Sequence, residues 1–479
     1  MRAHDTPISP TSSVAGESSG LVRAGIDLGT SSIKMVVLNE LDEVIIREHV
    51  ETPWLNGRGG TAEMSAESLA EALRTLIRLV SESLSSIGIT RIDALGIAGM
   101  GETGMLVMAD GQAVAPAMAW FDPRGAEQVE ALPARVAQEF SGRTGLPLGA
   151  QVSVAKIAYL RDNGITLKGT QWLNLPEFVA TLFGGDRALE YSLTSRTGLL
   201  DQDTAAPWDL MMDALGMDHS FFPPLRHGGD SWGHASGEFG QALEGAQLSV
   251  AGHDHLVAAH LSETLTSGSY FVSMGTAEVL LRVIDEPLGF DARQRLADAL
   301  INEVHYVVPG KRVVVAGLKT GLVLGRALRL VGVSDRAGRD RIDRALAQHD
   351  WSTFMPDHNL RVSGARNDDG MLKLAVSSDD ADPHDLIAAV IHHSNQEVLA
   401  LIDALDHELT PPTQTFLSGG WAGMDALQRA RAAILPNVTV LPESQETAVG
   451  AAMATKPSWA SLDFSTTTKS ATQERQNTA

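Results

Sequence analysis

Apolar residues along the chain form short runs and helical stripes that predict alternating strands and helices. Two apolar runs, Val22–Ile26 and Ile33–Leu38, flank a turn of Gly, Thr and Ser residues and predict a β-hairpin. Ser65 is a predicted N-cap, because the apolar residues after it recur at helical spacing. These residues are Leu69, Leu73, Leu76, Ile77, Val80 and Leu84. The run Ile92–Ala98 then predicts a buried strand, and strands that alternate with helices indicate an α/β fold.

The same pattern begins again in the second half of the chain. Another apolar run, Ser269–Val272, leads into the turn Met274–Ala277 and is followed by the apolar run Val279–Val283. The Gly-Thr pair in this turn lies about half a chain length after Gly29. Two such hairpins, each opening a stretch of α/β character, predict a duplicated fold with a cleft between the halves.

Composition and charge narrow the class of protein. The 479 residues carry 37 basic and 59 acidic side chains, a formal net charge of −22, which argues against a protein whose main partner is nucleic acid. The chain has no cysteine, which excludes a disulfide framework, a thiolate nucleophile and a Cys-ligated zinc. No apolar run approaches the roughly 20 residues of a membrane span, and no secretory signal is evident. We therefore expect a cytoplasmic protein with disordered tails at residues 1–20 and 457–479.

The first turn has residue types that suit a phosphate group. Its backbone N–H groups and the hydroxyls of Thr30, Ser31 and Ser32 offer donors to an anion. Asp27, before the turn, could hold a magnesium ion through water, and Lys34, after it, could balance phosphate charge. Neither a P-loop nor a GxGxxG fingerprint occurs, so the two commonest nucleotide folds are not supported. From the residues alone, an ordinary hairpin turn stays an alternative.

A series of segments adds a family resemblance. Asp27–Lys34 resembles the first phosphate motif of the FGGY carbohydrate kinases, a family in the sugar kinase–actin superfamily. Further segments resemble, in that family's order, its W-x-D-x-R, E-x-S-x-A-S-x-T-G-L-x-D, catalytic G-x-D, second phosphate, adenosine and E-x-A-x-G-A-A motifs. They are Ala119–Arg124, Glu190–Asp201, Val250–Asp254, Met274–Ala277, Leu417–Ala422 and Glu446–Ala452. The resemblance implies two duplicated actin-like (ribonuclease H-like) α/β domains, residues 21–264 and 265–456, with an interdomain cleft.

The resemblance makes Asp254 the expected catalytic base. A sugar hydroxyl has a pKa far above neutrality, so a carboxylate that accepts its proton helps in-line attack on a γ-phosphoryl group. A metal site of His253, Asp254 and His255 is the competing interpretation. Adjacent residues on an extended segment point to opposite faces, which disfavours their convergence on one ion. His255 is instead expected to contact the substrate.

The sugar pocket is expected after the strand Leu95–Ala98, at Gly101, Glu102 and Thr103. This triplet resembles the R-E-T of glycerol kinases with its arginine lost, whereas xylulose kinases have Met-His in place of its last two residues. A carboxylate at Glu102 can accept hydrogen bonds from two vicinal hydroxyls. A solvated loop acid is the alternative interpretation.

Two further pairs of polar residues each have two interpretations. Asp122 and Arg124 either touch the substrate or pair with each other to fix their loop. His392 and His393 lie on a predicted helix and are interpreted as a solvated or core pair rather than as ligands. Only the first pair is therefore assigned to the substrate site.

The resemblance also implies a set of residues that bind the nucleotide. Two residues depart from the family pattern: Ala277 replaces the usual Ser after Gly-Thr, and Met424 stands where glycerol kinases have an Asn near the adenine. These departures bear on nucleotide affinity rather than on the type of reaction. Gly325 has tight helix packing as an equally good interpretation. The cofactor-binding residues implied are Thr30, Ser31, Ser32, Lys34, Gly275, Thr276, Gly321, Gly325, Gly419 and Gly420.

The function expected from these segments is an ATP- and Mg²⁺-dependent kinase that phosphorylates a terminal hydroxyl of a small sugar. A pentulose such as xylulose comes first because the spacing is most similar to that branch, and a polyol or a sugar acid is the alternative. A non-catalytic actin-like or sugar-sensing protein is the second class, although a filament-forming relative would not need Asp254. The expected partner is a small sugar or polyol, without nucleic acid or membrane. A homodimer stays open because the sequence does not report the oligomeric state.

Overall fold

The computed structural model describes residues 20–262, 264–366, 371–377, 382–441 and 446–459. The tail predicted at residues 1–20 lies outside this part of the chain except for Gly20, and so does most of the tail predicted from residue 457. The second prediction is wrong at its start, because Trp459 is buried against His260 and its carbonyl oxygen lies 3.2 Å from His260 Nε2. A Ser-rich composition does not reveal one anchoring aromatic residue.

The first half of the chain is a succession of strands and helices. Its strands are β1 (Arg23–Leu28), β2 (Ser32–Leu38), β3 (Val44–Glu51), β4 (Leu55–Asn56), β5 (Ala62–Met64), β6 (Ala94–Gly99), β7 (Gly104–Val107), β8 (Ala117–Met118), β9 (Gln171–Asn174), β10 (Leu189–Glu190), β11 (Leu200–Asp201), β12 (Ala206–Pro207), β13 (Leu225–Arg226), β14 (Ser231–His234) and β15 (Gln247–His253). Its helices are α1 (Ala66–Ser86), α2 (Ala126–Glu130), α3 (Ala134–Thr144), α4 (Ser153–Asp162), α5 (Leu175–Leu182), α6 (Tyr191–Thr194), α7 (Asp209–Leu215) and α8 (Asp254–Leu261).

The second half has the same mixed character. Its strands are β16 (Ser269–Met274), β17 (Glu278–Ile284), β18 (Ile301–His305), β19 (Arg312–Leu318), β20 (Leu360–Ser363), β21 (Lys373–Val376), β22 (Gln414–Ser418) and β23 (Val438–Val440). Its helices are α9 (Phe290–Asp298), α10 (Thr320–Leu330), α11 (Arg336–Leu346), α12 (Pro383–Asp406), α13 (Asp425–Ala432) and α14 (Thr447–Met453).

Each half is built on a six-stranded mixed sheet. In the first sheet the strand order is β14-β15-β6-β1-β2-β3, with β1 antiparallel to β2 and parallel to β6. In the second the order is β18-β19-β17-β16-β22-β23, with β16 antiparallel to β17 and parallel to β22. Both predicted hairpins are therefore present, and each is extended by a parallel strand. The duplicated α/β fold predicted from the sequence is confirmed.

Helix α1 shows why the predicted elements form. Ser65 caps it by accepting a hydrogen bond of 3.1 Å from the Ser68 backbone N–H. The leucines and other apolar residues at helical spacing are buried, and the helix contacts β3. Since full burial of one such side chain is worth about 1.5–3 kcal/mol, this stripe fixes the helix on the first sheet.

The last helix connects the two halves. α14 packs across β1 and β6 of the first sheet, although it follows the second sheet in the sequence. Gly25 and Gly96 allow this approach, since a Cβ atom on Gly96 would lie 2.5 Å from the Ala451 carbonyl carbon. The predicted domain boundary between residues 264 and 265 assigns α14 to the second domain, whereas α14 packs on the sheet of the first.

A second junction between the halves is partly polar. Val136 and Phe140 of α3 belong to the same apolar cluster as Leu281 of the second sheet. Arg293 of α9 is fully buried, and its Nε donates to the Gly142 carbonyl at 2.6 Å. The two halves are thus joined by buried contacts at this end as well as by α14.

The His392–His393 pair lies on α12, as predicted. His393 Nε2 accepts a hydrogen bond of 3.3 Å from the Ala365 backbone N–H, and the His392 ring lies 5.9 Å from that of Phe354. Burial lowers the pKa of both imidazoles. Among the residues that the structure describes, no group of three His, Asp or Glu side chains could hold a metal ion.

Candidate active site

Three neighbouring parallel strands bring the predicted acids together. Strand β6 pairs in parallel with β1 on one side and β15 on the other, so that Leu28, Gly99 and His253 are in register. The carboxyl ends of the three strands therefore meet at one edge of the first sheet. In open α/β sheets, ligands bind beyond this edge. Asp27 lies at the end of β1, and Asp254 follows β15 directly.

Asp254 lies where the strand gives way to a helix. It is the first residue of α8, and one of its oxygens, Oδ1, accepts a hydrogen bond of 2.6 Å from the His255 backbone N–H. His253 Nε2 lies 3.6 Å from the same oxygen. The expectation of an extended segment is thus wrong here, because the turn into α8 brings both imidazoles close to one carboxylate.

The environment of Asp254 keeps it ionised. Burial alone would raise the pKa of its carboxyl group, but the electrostatic effects of His255, His253 and Arg196 and the hydrogen bond from the His255 backbone N–H together outweigh this and hold the pKa below its usual value. Burial also lowers the pKa of His253 to about 3, so that this imidazole is neutral near pH 7. Asp254 is therefore a carboxylate able to accept a proton.

Asp27 has the opposite shift. Burial raises the pKa of its carboxyl group to about 7, the negative charge of Asp254 adds to the effect, and Lys34 opposes it. Lys34 is directly opposite Asp27 in the β1–β2 register. The buried Oδ1 atom of Asp27 has no hydrogen-bond partner among the described residues. An orphaned carboxylate oxygen at this edge fits a hard cation or a water molecule bound to one.

The Glu102 loop is tightly constrained. Glu102 is buried and has a positive φ of 61°. Its Oε1 accepts a hydrogen bond of 2.6 Å from Arg196 Nε and is also contacted by Arg196 Nη2. Sequence reasoning missed Arg196, since it lies at a position that the family motif leaves unspecified. Glu102 is thus no solvated loop acid.

The two neighbours of Glu102 differ from their expected roles. Thr103 is completely buried, and its hydroxyl has no hydrogen-bond partner among the described residues, so it does not reach the surface of the strand edge. Gly101 leaves room for other side chains, since a Cβ atom there would lie 2.8 Å from His253 Cδ2. Of the predicted triplet, Glu102 alone presents a polar side chain to the site.

Asp122 and Arg124 pair with each other. The Asp122 carboxylate accepts a hydrogen bond of 2.6 Å from Arg124 Nη2 and one of 2.9 Å from the Ala62 backbone N–H. Arg124 Nη1 also lies 3.0 Å from Glu63 Oε2. Burial raises the pKa of Asp122, but the bonds from Arg124 outweigh it and lower the pKa overall. These contacts fix the loop, in agreement with the second of the two interpretations.

The first phosphate turn is fixed by side chains from two other segments. Trp54 Nε1 donates to the Thr30 carbonyl at 2.8 Å, and Thr52 Oγ1 donates to the Gly29 carbonyl at 2.7 Å. Trp120 Nε1 lies 3.1 Å from Thr30 Oγ1 and couples this turn to the loop of Asp122. The predicted residues Ser31 and Lys34 are exposed, so their polar groups are available to a ligand.

The second phosphate turn is assembled with two further glycine segments. Leu322, in the first turn of α10, donates its backbone N–H to the Thr276 carbonyl at 2.9 Å, and the Trp421 N–H donates to the Met274 carbonyl at 3.0 Å. A Cβ atom on Gly321 would lie 2.6 Å from Trp421 Nε1, so this glycine is required by close packing. The predicted residues Gly275, Thr276, Gly321, Gly325, Gly419 and Gly420 thus all lie around Trp421 or the turn that it contacts.

The two departures from the family pattern lie in the same assembly. The Ala277 carbonyl accepts a hydrogen bond of 2.9 Å from the Gly275 N–H and closes the turn, which needs no side-chain hydroxyl. Met424 is buried at the start of α13. Gly420 has no atom within 4 Å of the place where a Cβ would stand, so the backbone there is open to a ligand.

Comparison with known proteins agrees with this geometry. Duplicated sheets with acids at the carboxyl edge of the first are the architecture of actin-like phosphotransferases. Residues 22–260 match the FGGY family of carbohydrate kinases, N-terminal domain. The chain belongs to this family of ATP-dependent kinases, which transfer a phosphoryl group to an alcohol.

Relatives and solved structures cover most of the chain at low identity. Gluconokinase of Bacillus subtilis is 23% identical over 456 residues, 88% of this chain and 84% of that protein. Glycerol kinase of Thermococcus gammatolerans is 24% identical over 298 residues, 60% of this chain and 57% of that protein. Xylulose kinase of Rhodospirillum rubrum has a TM-score of 0.78 at 18% identity and covers 90% of this chain and 89% of its own. Plasmodium falciparum glycerol kinase with ADP has a TM-score of 0.79 at 17% identity, and the match covers 90% of this chain and 88% of that one.

Within residues 20–459, apart from the short gaps named above, no helix has the length and apolar composition needed to cross a bilayer.

Proposed function

We propose that the protein transfers the γ-phosphoryl group of ATP to a terminal hydroxyl of a small sugar, with Asp254 as the general base. The observation that carries this proposal is the ionised, partly buried carboxylate of Asp254 at the carboxyl edge of the first sheet, beside Asp27 and Glu102. Because it is ionised at neutral pH, it is available to accept a proton.

The proposed step is an in-line displacement. The proton of the sugar hydroxyl passes to Asp254 while the hydroxyl oxygen forms a bond to the γ-phosphorus atom. The bond between that phosphorus and the β–γ bridging oxygen breaks, and ADP leaves. Most of the remaining catalysis is positioning and charge neutralisation, to which Thr30, Ser31 and Lys34 in one half and Thr276 in the other would contribute.

Magnesium belongs to the same proposal. Asp27 would hold Mg²⁺, directly or through water, because its Oδ1 atom is buried and unpartnered. When bound there, the ion would supply charge neutralisation for the phosphates.

The acceptor that we propose first is a pentulose such as xylulose. The spacing of the motifs supports it, and solved xylulose kinases share the fold over most of the chain. A sugar acid is the second candidate, because the alignment with a gluconokinase extends over 88% of this chain. A polyol such as glycerol is supported by the Glu102 carboxylate and by the likeness to glycerol kinases.

The test is an ADP-release assay with D-xylulose, glycerol and D-gluconate as acceptors, on the wild type and on Asp254→Asn. We expect acceptor-dependent turnover in the wild type, and a kcat about 10²–10⁴-fold lower in the variant, the size of a general-base contribution. ATP binding, measured by calorimetry, should be retained. Asp209→Asn, at an exposed pair with His219, is the matched control and should leave kcat unchanged. Near-wild-type turnover of Asp254→Asn would remove Asp254 from the mechanism.

A further inference from the structure

Arg196 contacts the sugar-side carboxylate from a distant part of the chain. It follows α6, only 14% of its side chain is exposed, and both of its contacting nitrogens, Nε and Nη2, meet Glu102 Oε1. The two acceptor positions of Oε1 are thereby taken. Oε2 receives no hydrogen bond from the residues that the structure describes, and the Glu102 side chain keeps 9% of its surface accessible. One oxygen is clamped, and the other is left for a ligand.

The backbone at Glu102 is held in an uncommon conformation. Its φ of 61° coincides with a hydrogen bond of 2.7 Å from the Thr103 N–H to the Gly101 carbonyl. This is a γ-turn with a left-handed central residue, which is a strained turn. Ser153 Oγ donates to the Glu102 carbonyl at 2.9 Å, so the backbone and the side chain are each fixed by another segment. Strain of this kind persists where surrounding contacts over-determine it, and it is concentrated at ligand sites.

Arg196 occupies space next to the glycine that precedes Glu102. A Cβ atom on Gly101 would lie 3.0 Å from Arg196 Cγ and 2.8 Å from His253 Cδ2, so a larger residue there would displace one of them. The triplet of this chain lacks the arginine of the R-E-T pattern, and a guanidinium reaches Glu102 from another segment instead. The absence of a side chain at Gly101 therefore leaves the space through which Arg196 reaches Glu102.

The charges around Glu102 show what the guanidinium does. Burial raises the pKa of the Glu102 carboxyl group, and the negative charge of Asp254 raises it further, whereas Arg196 and His255 lower it. The ammonium group of Lys156, on α4, donates to the Asp122 and Ala150 carbonyls and not to this carboxylate. Arg196 is the cation that donates hydrogen bonds to Glu102 in the described part of the chain, so its removal would favour the protonated acid.

We propose that Arg196 is a positioning residue for sugar recognition, which clamps Oε1 of Glu102 and leaves Oε2 to accept a hydrogen bond from one acceptor hydroxyl. The proposal rests on the proposed function and adds a specificity rule to it. Because Oε1 is filled, Glu102 accepts a single hydroxyl, not the vicinal pair expected from the sequence. A substrate carboxylate at the same place would be repelled by Oε2.

The experiment compares Arg196→Met, Arg196→Lys, Glu102→Gln and the double variant Glu102→Gln/Arg196→Met. The acceptor is whichever of D-xylulose, glycerol and D-gluconate the wild type turns over. For Arg196→Met we expect KM for the acceptor to rise about 10–100-fold, while kcat changes about threefold at most and KM for ATP about twofold. Arg196→Lys keeps the positive charge but lacks the two guanidinium nitrogens that contact Oε1, so its KM for the acceptor should lie between those of the wild type and Arg196→Met. Arg78→Met, at an exposed pair with Glu82, is the control and should match the wild type.

Two further readouts separate positioning from a merely structural effect. Introducing Arg196→Met into Glu102→Gln should lower kcat/KM for the acceptor by no more than about another twofold. A residue that acts only through the Glu102 carboxylate has no further effect once that carboxylate is replaced by an amide. The kcat/KM of Arg196→Met should also rise with pH more steeply than that of the wild type, because without Arg196 the buried Glu102 carboxyl group binds its proton more tightly. Calorimetry of acceptor binding without ATP should rank the variants in the same order as their KM values for the acceptor.

Each outcome decides for or against the assignment. An unchanged acceptor KM in a folded Arg196→Met, losses that add fully to those of Glu102→Gln, or an equal loss in KM for ATP would each overturn it. Should Arg196→Met not fold, the same cycle with Arg196→Lys decides, since that variant must then lose acceptor affinity only when Glu102 is intact. Absence of turnover in the wild type with all three acceptors would overturn the proposed function, and with it this proposal.

Discussion

Two aspartates at the edge of the first sheet have pKa values that their surroundings shift in opposite directions. Asp254 is held ionised by His255 and the backbone, while burial and the charge of Asp254 raise the pKa of Asp27 to about 7. Pairs of titratable groups whose environments separate their pKa values define acid and base roles. The neighbours, not the residue type, therefore hold Asp254 as a carboxylate and give Asp27 a pKa near neutrality.

His260 predicts a pH-dependent stability. Burial lowers its pKa to about 4, and its neutral ring is satisfied, with Nδ1 at 3.2 Å from the Tyr306 hydroxyl and Nε2 at 3.2 Å from the Trp459 carbonyl. The unfolded chain, with a pKa of about 6.5 at this residue, binds the proton more tightly. The stabilisation from neutral His260 is thus complete above pH 6.5 and is lost as the pH falls from 6.5 towards 4.

Urea unfolding between pH 8 and pH 5 measures this loss. His260→Gln should be less stable than the wild type at pH 8, and the gap should narrow by up to about 1.4 kcal/mol per pH unit below 6.5. His49→Gln, on the exposed side of β3, serves as the surface control. A gap for His260→Gln that stays constant down to pH 5 would contradict a neutral buried imidazole.

Residue identities predict the acids of the site better than their partners. Asp27 and Asp254 stand beside short motifs, so the local sequence is enough to single them out. Arg196 is 94 positions from Glu102, and their pairing exists only because α6 packs near the end of β15. The burial of Thr103 is equally invisible in the local sequence. Side-chain direction in a loop is set by tertiary contacts, which no spacing rule contains.

At the scale of elements, periodicity predicts what forms but not where it docks. Both hairpins and α1 follow from local apolar patterns, and they are present as predicted. The turn from β15 into α8 was missed, because His253–Asp254–His255 has no signal that ends a strand inside it. The docking of α14 on the first sheet was also not foreseen, since it depends on two glycines in strands far from it.

This docking gives a prediction for Gly96. A Cβ atom there would collide with the Ala451 carbonyl, a backbone group that cannot turn away. Gly96→Ala should therefore destabilise the protein by at least about 1–3 kcal/mol, the usual cost of overpacking, with a lower midpoint in thermal unfolding. Gly289→Ala is the matched control, because nothing lies within 4 Å of its Cβ position and its φ is negative. Equal stability of the two variants would show that α14 does not press on β6 in solution.

At the scale of the whole molecule, the proposed reaction needs groups from both halves. Thr30 lies in the hairpin of the first sheet, and Thr276 in the equivalent hairpin of the second. The buried junctions that join the halves, at α14 and at Arg293, do not include these two turns. One nucleotide that contacts both turns would therefore draw the halves together around the acceptor.

Small-angle scattering on Asp254→Asn tests this closure. The variant should bind ATP and the acceptor but turn them over slowly, so that ATP itself can be used instead of an analogue. We expect the radius of gyration to fall when both ligands are present and to change less with either alone, because only the ternary complex engages both turns and the Glu102 side. The control is ADP with the acceptor, which lacks the γ-phosphoryl group that bridges the halves. If calorimetry shows both ligands bound while the radius of gyration does not change, the two halves do not close, and the phosphate turns must already stand at their working distance in the free protein.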